Sequence, residues 1–432
     1  MPGQRARNDG MPVPPGDSGP SAKSRELVST GQRRYVPNYA PKEMILDRGA
    51  GARMWDLDGT EYVDFGAGIS VTSLGHGDPD LAEALAAQAG RLWHVSNLYF
   101  AEPVVRLADE LCEASFADRV FFCNSGAEAN EAAIKLARKH ASLSHDPEKH
   151  EIVTFHGGFH GRTIATVTAT AQPKYQEGFG PMPGGFRYCD YNNVAALDAA
   201  IGERTCAVLV EPIQGEGGVV PAEDGFLTAI AERCRAHDAL LMFDEIQSGL
   251  ARTGRLFAHQ WEEGVVPDVV TIAKALGGGL PIGAMLVGEK AAETFQPGSH
   301  GSTFGGNPIA AAVARVVLRK LRSPELLANV ARQGERLRRR LTALHNEIGF
   351  ISEVRGKGLM LGAVLRDEWA GRAGELGEVC RRHGVLVLQA GPDVVRFLPP
   401  LNITDAELDD GMDRFESAMR EAAGRGGAKE SG

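Results

Sequence analysis

Apolar and polar positions fall into three patterns along this chain. Between Met44 and Phe65 they alternate, in MILDRG and then RMWDLDGTEYVDF, with Asp58-Gly59 at the centre. Such alternation around an Asp-Gly pair predicts a half-buried β-hairpin. Helical periodicity follows in DPDLAEALAAQAGRL and EPVVRLADELCEASF, where apolar residues recur three and four apart. From about Arg119 the pattern changes to short continuous apolar runs: RVFFC, EIVTF, CAVLVEP, ALLMFDE, DVVTIAK and GAMLVG. Runs of this length suit strands buried on both faces. The amphipathic segments ANEAAIKLARKHA and GFLTAIAERCRAH lie between them. Strand and helix in alternation predict an α/β layer with a largely parallel sheet.

Beyond Pro308 the chain turns helical in IAAAVARVVLRKL, and a second helix is predicted from Pro324 to His345. An α+β tail follows: FISEVRGKGLMLGAVL, a helix near Glu375 to His383, GVLVLQA, VVRFLPPL and a closing helix from Asp405. A domain boundary is placed near Ser323. A length of 432 residues agrees with more than one domain.

Composition narrows the partners. Apolar residues make up 43% and charged residues 24%, as in an ordinary soluble globular protein. No apolar run is long enough for a membrane span. A net charge of −10 repels phosphate backbones, so nucleic acid is not an expected partner. The six cysteines are scattered, which suits buried thiols in a reducing, cytoplasmic setting rather than disulfides or a metal site. Residues 1–34 are rich in Pro, Gly and Ser at their start and lack a secretory h-region. They are expected to form a flexible tail, as are residues 422–432.

Ligands of open α/β sheets bind at the carboxyl ends of the strands. Here those ends read NSGAE, HGGFHGR, EPIQGEGG, DEIQSG and AKALGGG. Lys274 follows one apolar strand. Taken alone it reads as a strand-end lysine whose head reaches water, but the neighbouring strand ends form a matching set. Asp244 and Glu245 end another strand and suit a metal, a salt bridge or a cofactor. His156 and His160 lie four apart, but in a glycine-rich loop without an H-E-x-x-H pattern, so no metal is expected. Ser125, Gly126 and Ala127 open a helix, where free N–H groups and the helix dipole favour a phosphate. Ser125 with Glu128 also reads as a capping box, and the two readings are compatible. GKGLMLG, from Gly356, leads into an apolar run and is read as a bend rather than a dinucleotide fingerprint.

Together FFCNSGAEANEAAIKLAR, FHGGFHGRT, EPIQGEGG, FDEIQSGLARTG, TIAKALGGGLPIGA and GSTFGGNP resemble the class III pyridoxal-phosphate-dependent aminotransferases. Among these the likeness is greatest to the enzymes acting on acetylornithine and succinylornithine, and it runs from about Tyr35 to Met419. The resemblance implies an α/β chain of fold type I, with a mostly parallel seven-stranded sheet in a large domain, residues 81–323. A small α+β domain would be built from residues 35–80 and 324–421. It implies a homodimer with shared active sites and pyridoxal 5′-phosphate as cofactor. Lys274 would hold the cofactor as a Schiff base and act as base. Asp244 would pair with the ring nitrogen, Gln247 with the ring hydroxyl, and Phe159 would stack on the ring. Ser125, Gly126 and Ala127 would cradle the phosphate, with Thr303 reaching it from the neighbouring subunit. Arg162 would grip a substrate carboxylate and Ser302 would touch substrate across the interface. Glu216 and Arg396 would form a switch, the carboxylate neutralising the guanidinium until a dicarboxylate arrives.

The amino acceptor so implied is 2-oxoglutarate. For the donor, Ile69 stands where ornithine aminotransferases carry a tyrosine, and an apolar residue there suits an N-acylated nitrogen. Phe304 points the same way. N2-acetyl-L-ornithine is the expected donor. Succinylornithine, succinyl-diaminopimelate, ornithine and 4-aminobutyrate are the alternatives, since a few apolar contacts discriminate by only about 1–3 kcal/mol.

Overall fold

Seven strands build the central sheet, and six of them are the apolar runs named above. In spatial order they are Arg119–Cys123, Gly283–Val287, Val269–Ile272, Leu240–Asp244, Thr205–Val210, Glu151–Phe155 and Phe186–Cys189. The computed structural model describes residues 19–144 and 148–427. Gly283–Val287 runs antiparallel to both its neighbours, and the pairings from Val269–Ile272 through Phe186–Cys189 are parallel. Six strands therefore end at one edge. The inner strands Leu240–Asp244, Thr205–Val210 and Val269–Ile272 are buried at every position, which is why they read as unbroken apolar runs. The edge strand Phe186–Cys189 exposes Arg187 and Tyr188. Its mixed sequence hid it from the pattern.

Two of the long helices begin at side-chain caps. The Asn307 side chain accepts from the Ala310 N–H at 2.8 Å, ahead of Pro308 in the first turn of Pro308–Leu321. Ser323 caps Pro324–Glu347 in the same way, accepting from the Leu326 N–H at 3.2 Å. A proline is tolerated at this position because its missing N–H would have no helical partner.

Two smaller four-stranded sheets complete the fold, and the first joins both chain ends. Leu46–Ala50, Arg53–Asp56 and Glu61–Asp64 form an antiparallel meander, and Val385–Leu386 adds to it in parallel. Ile351–Lys357, Met360–Leu365, Val394–Phe397 and Leu388–Gln389 form the other. The GKGLMLG bend is the turn of its first hairpin, where Lys357 pairs with Met360 and Gly358 has φ +55°.

The terminal expectations need correction. Residues 22–34 are not a flexible tail but the helix Ala22–Arg34, capped by Ser21, whose side chain accepts from the Ser24 N–H. Prolines and glycines dominate only before it, and the helix ends just before Pro37. At the other end the helix Asp405–Gly427 runs on through residues 422–427. The rest of the expected tails, residues 1–18 and 428–432, lies outside the described residues. No helix among the described residues is long and apolar enough to cross a membrane.

Candidate active site

A cavity of about 400 Å³ opens at the edge where the strands end. Its floor is Lys274. The residue follows Val269–Ile272 and starts the short 3-10 helix Lys274–Gly277 with φ +36°, a backbone state few non-glycine residues hold. The side chain is half-buried and lines the cavity, and no hydrogen bond to its amine is present among the described residues. Burial, opposed by the Glu216 charge and assisted by Arg396, brings its pKa down to about 8.

Asp244 ends the neighbouring strand and is almost fully buried. Its Oδ2 accepts from Asn130 Nδ2 at 2.7 Å and from His160 Nδ1 at 2.8 Å. Its Oδ1 accepts from the Ile246 N–H at 3.1 Å. Asn130 is fixed in turn by the Thr271 hydroxyl, which donates to its Oδ1 at 2.7 Å. Burial disfavours a charged His160, but the hydrogen bond and charge of Asp244 outweigh it and raise its pKa. A carboxylate held by two side-chain donors keeps one orientation. Glu245 points elsewhere: it accepts from the Ala258 and His259 N–H groups and from His259 Nδ1.

Across the cavity the helix Gly126–Ser144 begins. The N–H groups of its first residues precede any intrahelical acceptor, and Ser125, Gly126 and Ala127 line the cavity. Ser125 also caps: its Oγ accepts from the Glu128 N–H at 3.2 Å. A Cβ on Gly126 would lie 2.7 Å from Ile246 Cδ1, so only glycine lets this backbone reach the wall.

A second charge pair adjoins the cavity through Gln247. Arg396 Nη1 lies 2.6 Å from Glu216 Oε1 and donates to Gln247 Oε1 at 2.9 Å, while Gln247 Nε2 donates to Glu216 Oε1 at 3.2 Å. Burial alone would raise the Glu216 carboxyl, but Arg396 reverses this and holds it below the usual range. Arg396 Nε is buried without a partner among the described residues.

Arg162 is exposed at the rim. Its guanidinium lies 4.0 Å from the Tyr175 ring centre and 5.5 Å from that of Phe159. Aromatic faces hold a cation in place without neutralising it, and no carboxylate pairs with Arg162 among the described residues.

Eight of the expected residues therefore line one cavity: Ser125, Gly126, Ala127, Phe159, Arg162, Asp244, Gln247 and Lys274. Glu216 and Arg396 adjoin it. Ser302 lies beside it, accepting from Asn124 Nδ2 at 2.9 Å. Thr303 is exposed and stands outside the lining. Four participants escaped sequence reasoning: Asn130, His160, Tyr175 and Glu211. The spacing of His156 and His160 drew attention to a metal, yet His156 is exposed near Tyr188 and His160 faces Asp244. Glu211 lines the cavity and accepts from the Phe159 N–H at 2.8 Å and the Gly215 N–H at 3.1 Å. Burial, opposed by His160, raises its pKa to about 7.

Known proteins resemble this chain along most of its length. Residues 35–419 match the family model for class III aminotransferases. The acetylornithine aminotransferase of Xanthomonas axonopodis pv. citri is 61% identical over 390 residues, covering 90% of this chain and 95% of that protein. A Pseudomonas aeruginosa relative named succinylornithine transaminase/acetylornithine aminotransferase is 52% identical over 387 residues, covering 90% and 95%. The crystal structure of N-acetylornithine aminotransferase from Stenotrophomonas maltophilia superposes with a TM-score of 0.81 at 51% identity, covering 92% of this chain and all of that one.

Proposed function

The chain belongs to the class III aminotransferases, and from that premise we propose that it moves the terminal amino group of N2-acetyl-L-ornithine to 2-oxoglutarate. The products are the corresponding semialdehyde and glutamate. The observation that carries this reading is the Lys274 amine, half-buried and without a hydrogen-bond partner among the described residues, on a floor it shares with a firmly held Asp244.

Enzymes of this class use pyridoxal 5′-phosphate, and the residues present fit it. Lys274 offers the amine for its aldehyde, Asp244 a fixed carboxylate for its ring nitrogen, and Gln247 an amide for its hydroxyl. Phe159 offers a flat apolar face, and Ser125 to Ala127 offer N–H groups for its phosphate. When bound, the cofactor supplies an electron sink for charge developing at the amine-bearing carbon.

The chain's own residues do the rest. Lys274 takes a proton from the donor's amine-bearing carbon and later returns one. Its lowered pKa gives a larger neutral fraction near neutral pH than an ordinary lysine has. Asp244, oriented by Asn130 and His160, presents its carboxylate where a ring proton must stay. Arg162 presents its planar fork to a substrate carboxylate. Glu216 neutralises Arg396 while the acylated donor is bound, and moves aside when the second carboxylate of 2-oxoglutarate needs that guanidinium.

A succinylated donor is a second reading, favoured by the double name of the Pseudomonas relative. We take the seven-stranded sheet and its helices as the large domain, and the two smaller sheets, the first of which joins both chain ends, as the small one. The working unit is a homodimer. Trp93, Leu98, Tyr99, Phe100 and Phe304 are exposed, and a groove of about 320 Å³ beside Tyr99 and Phe100 carries no charged side chain. A second copy covering this face would bring Thr303 of the partner subunit toward the phosphate. The cytoplasm is the proposed setting, which the scattered cysteines of the sequence suit.

The test follows the violet absorbance of cofactor-loaded enzyme. Acetylornithine alone should abolish that band and 2-oxoglutarate should restore it. A band that ignores acetylornithine but responds to free ornithine or 4-aminobutyrate would overturn the donor assignment.

A further inference from the structure

Four successive residues at the cavity mouth have left-handed backbone. The angle φ is +44° at Ala67, +60° at Gly68, +63° at Ile69 and +66° at Ser70. Three of them carry a Cβ, and for β-branched Ile69 this conformation is especially unfavourable. Such a run persists only where its surroundings over-determine it.

Two groups hold it. Asp64 Oδ1 accepts from the N–H groups of Gly66 at 2.8 Å and Ala67 at 2.9 Å. Arg252 grips the other end, its Nε donating to Ser70 Oγ at 2.9 Å and its Nη2 to Ser73 Oγ at 3.1 Å. Its Nη1 donates to the carbonyls of Leu359 at 3.1 Å and Pro399 at 2.5 Å. Arg252 is fully buried and makes no ion pair among the described residues. Burial lowers its pKa to about 9, opposed only by the charge of Asp64. A buried cation satisfied by neutral oxygens is a poor device for stability alone. A planar fork with five donors, however, fixes the direction of everything it touches.

The turn it fixes meets the cavity. Ser70 Oγ donates to the Gln247 carbonyl at 3.3 Å, and Val71 lines the cavity. A Cβ built on Gly279, another lining residue, would lie 4.0 Å from the Thr72 methyl. Ile69, two residues before Val71, remains 42% exposed.

We propose that Arg252 is a positioning residue for the amino donor, holding the left-handed turn Ala67–Ser70 so that Ile69 and Val71 form the apolar wall for the donor's acyl group. The proposal rests on the acyl-donor reading above. The wall serves the donor half-reaction, because 2-oxoglutarate is held by Arg162 and Arg396, neither of which bonds to the turn.

Ser70→Ala, Ser73→Ala and Arg252→Lys test it in the cofactor-loaded enzyme. Each half-reaction would be measured separately, alongside Tm and cofactor affinity by absorbance titration. The expected result is a donor KM raised about tenfold and a similar loss of preference for acetylornithine over free ornithine. The 2-oxoglutarate half-reaction and cofactor affinity should change by less than about twofold on the same scale. A lower Tm with unchanged donor KM and preference would show Arg252 to be structural only and overturn the proposal. If Arg252→Lys does not fold, the serine variants, which leave the guanidinium in place, decide the matter. Failure of the unaltered enzyme to use acetylornithine would overturn both readings, and would be seen before any variant is compared.

Discussion

Arginine meets carboxylate in two contrasting places in this molecule. On the outer surface the helices Pro324–Glu347 and Asp405–Gly427 face each other with a ladder of charges. Arg336 Nε donates to Asp409 at 3.1 Å, and Arg340 lies 2.7 Å from Asp413 and 2.6 Å from Glu416. At the cavity Arg396 pairs with Glu216 at 2.6 Å, with the arginine side chain 2% exposed. The distances match and the environments do not. Water and salt screen the ladder, so each rung fixes helix alignment and little more. At the cavity each charge depends on the other, because a buried charge left alone is costly. A pair in that setting can be opened by a ligand that brings a replacement charge. The same bond is a fastening on the surface and, in the function proposed above, a switch in the cavity.

The largest effect should come from Lys274, on which the charges of both Glu216 and Arg396 act. Lys274→Ala should lower turnover by about 10²–10⁴-fold or more, measured as single-turnover loss of the cofactor's violet absorbance. Turnover near the unaltered rate would sink the assigned role. Stability should change little by comparison.

Next comes the switch itself. Glu216→Ala leaves Arg396 permanently uncompensated. The donor half-reaction should slow by about tenfold or more, while 2-oxoglutarate, proposed to use the free guanidinium, should be less affected. Rapid mixing of each half-reaction distinguishes this from an equal loss in both, which would make the pair an ordinary structural bridge.

A pH measurement sharpens the contrast from the cavity side. The Lys274 amine must be neutral to capture an aldehyde, and its pKa is about 8 rather than 10.5. Cofactor capture by the apoenzyme should therefore speed up as pH rises through about 8 and level off above it. A rate still climbing tenfold per unit toward 10.5 would mean an ordinary lysine. The linkage has the same sign: between these values the unfolded chain binds the extra proton, so the apoenzyme gains stability as pH rises.

The two regions also differ in how far they were legible beforehand. The inner strands and the residues ending them could be read because full burial leaves unbroken apolar runs and the chemistry sits at their carboxyl ends. Lys274, Asp244 and Ser125 to Ala127 were found this way. Asn130 and His160 were not, since they reach Asp244 from 114 and 84 residues away, and no local pattern marks such a meeting. The left-handed turn at Ala67–Ser70 was equally hidden, because only one of its four residues is glycine. The helix Ala22–Arg34 was missed for a different reason: it is mostly exposed, so no apolar stripe announces it.

The surface ladder supplies the smallest effect and the clearest control. Arg340→Ala removes contacts to Asp409, Asp413 and Glu416 together, yet the loss of stability should be about 1 kcal/mol or less. It should shrink further in high salt, because added ions already screen charges this close to water. Denaturant unfolding at low and high ionic strength measures both quantities, and both half-reactions should keep their rates. If Arg340→Ala instead upset the balance between donor and acceptor, the ladder would be coupled to the cavity. The division between a screened fastening and a desolvated switch would then fail where it is most easily checked, since the surface variant changes no residue near Lys274.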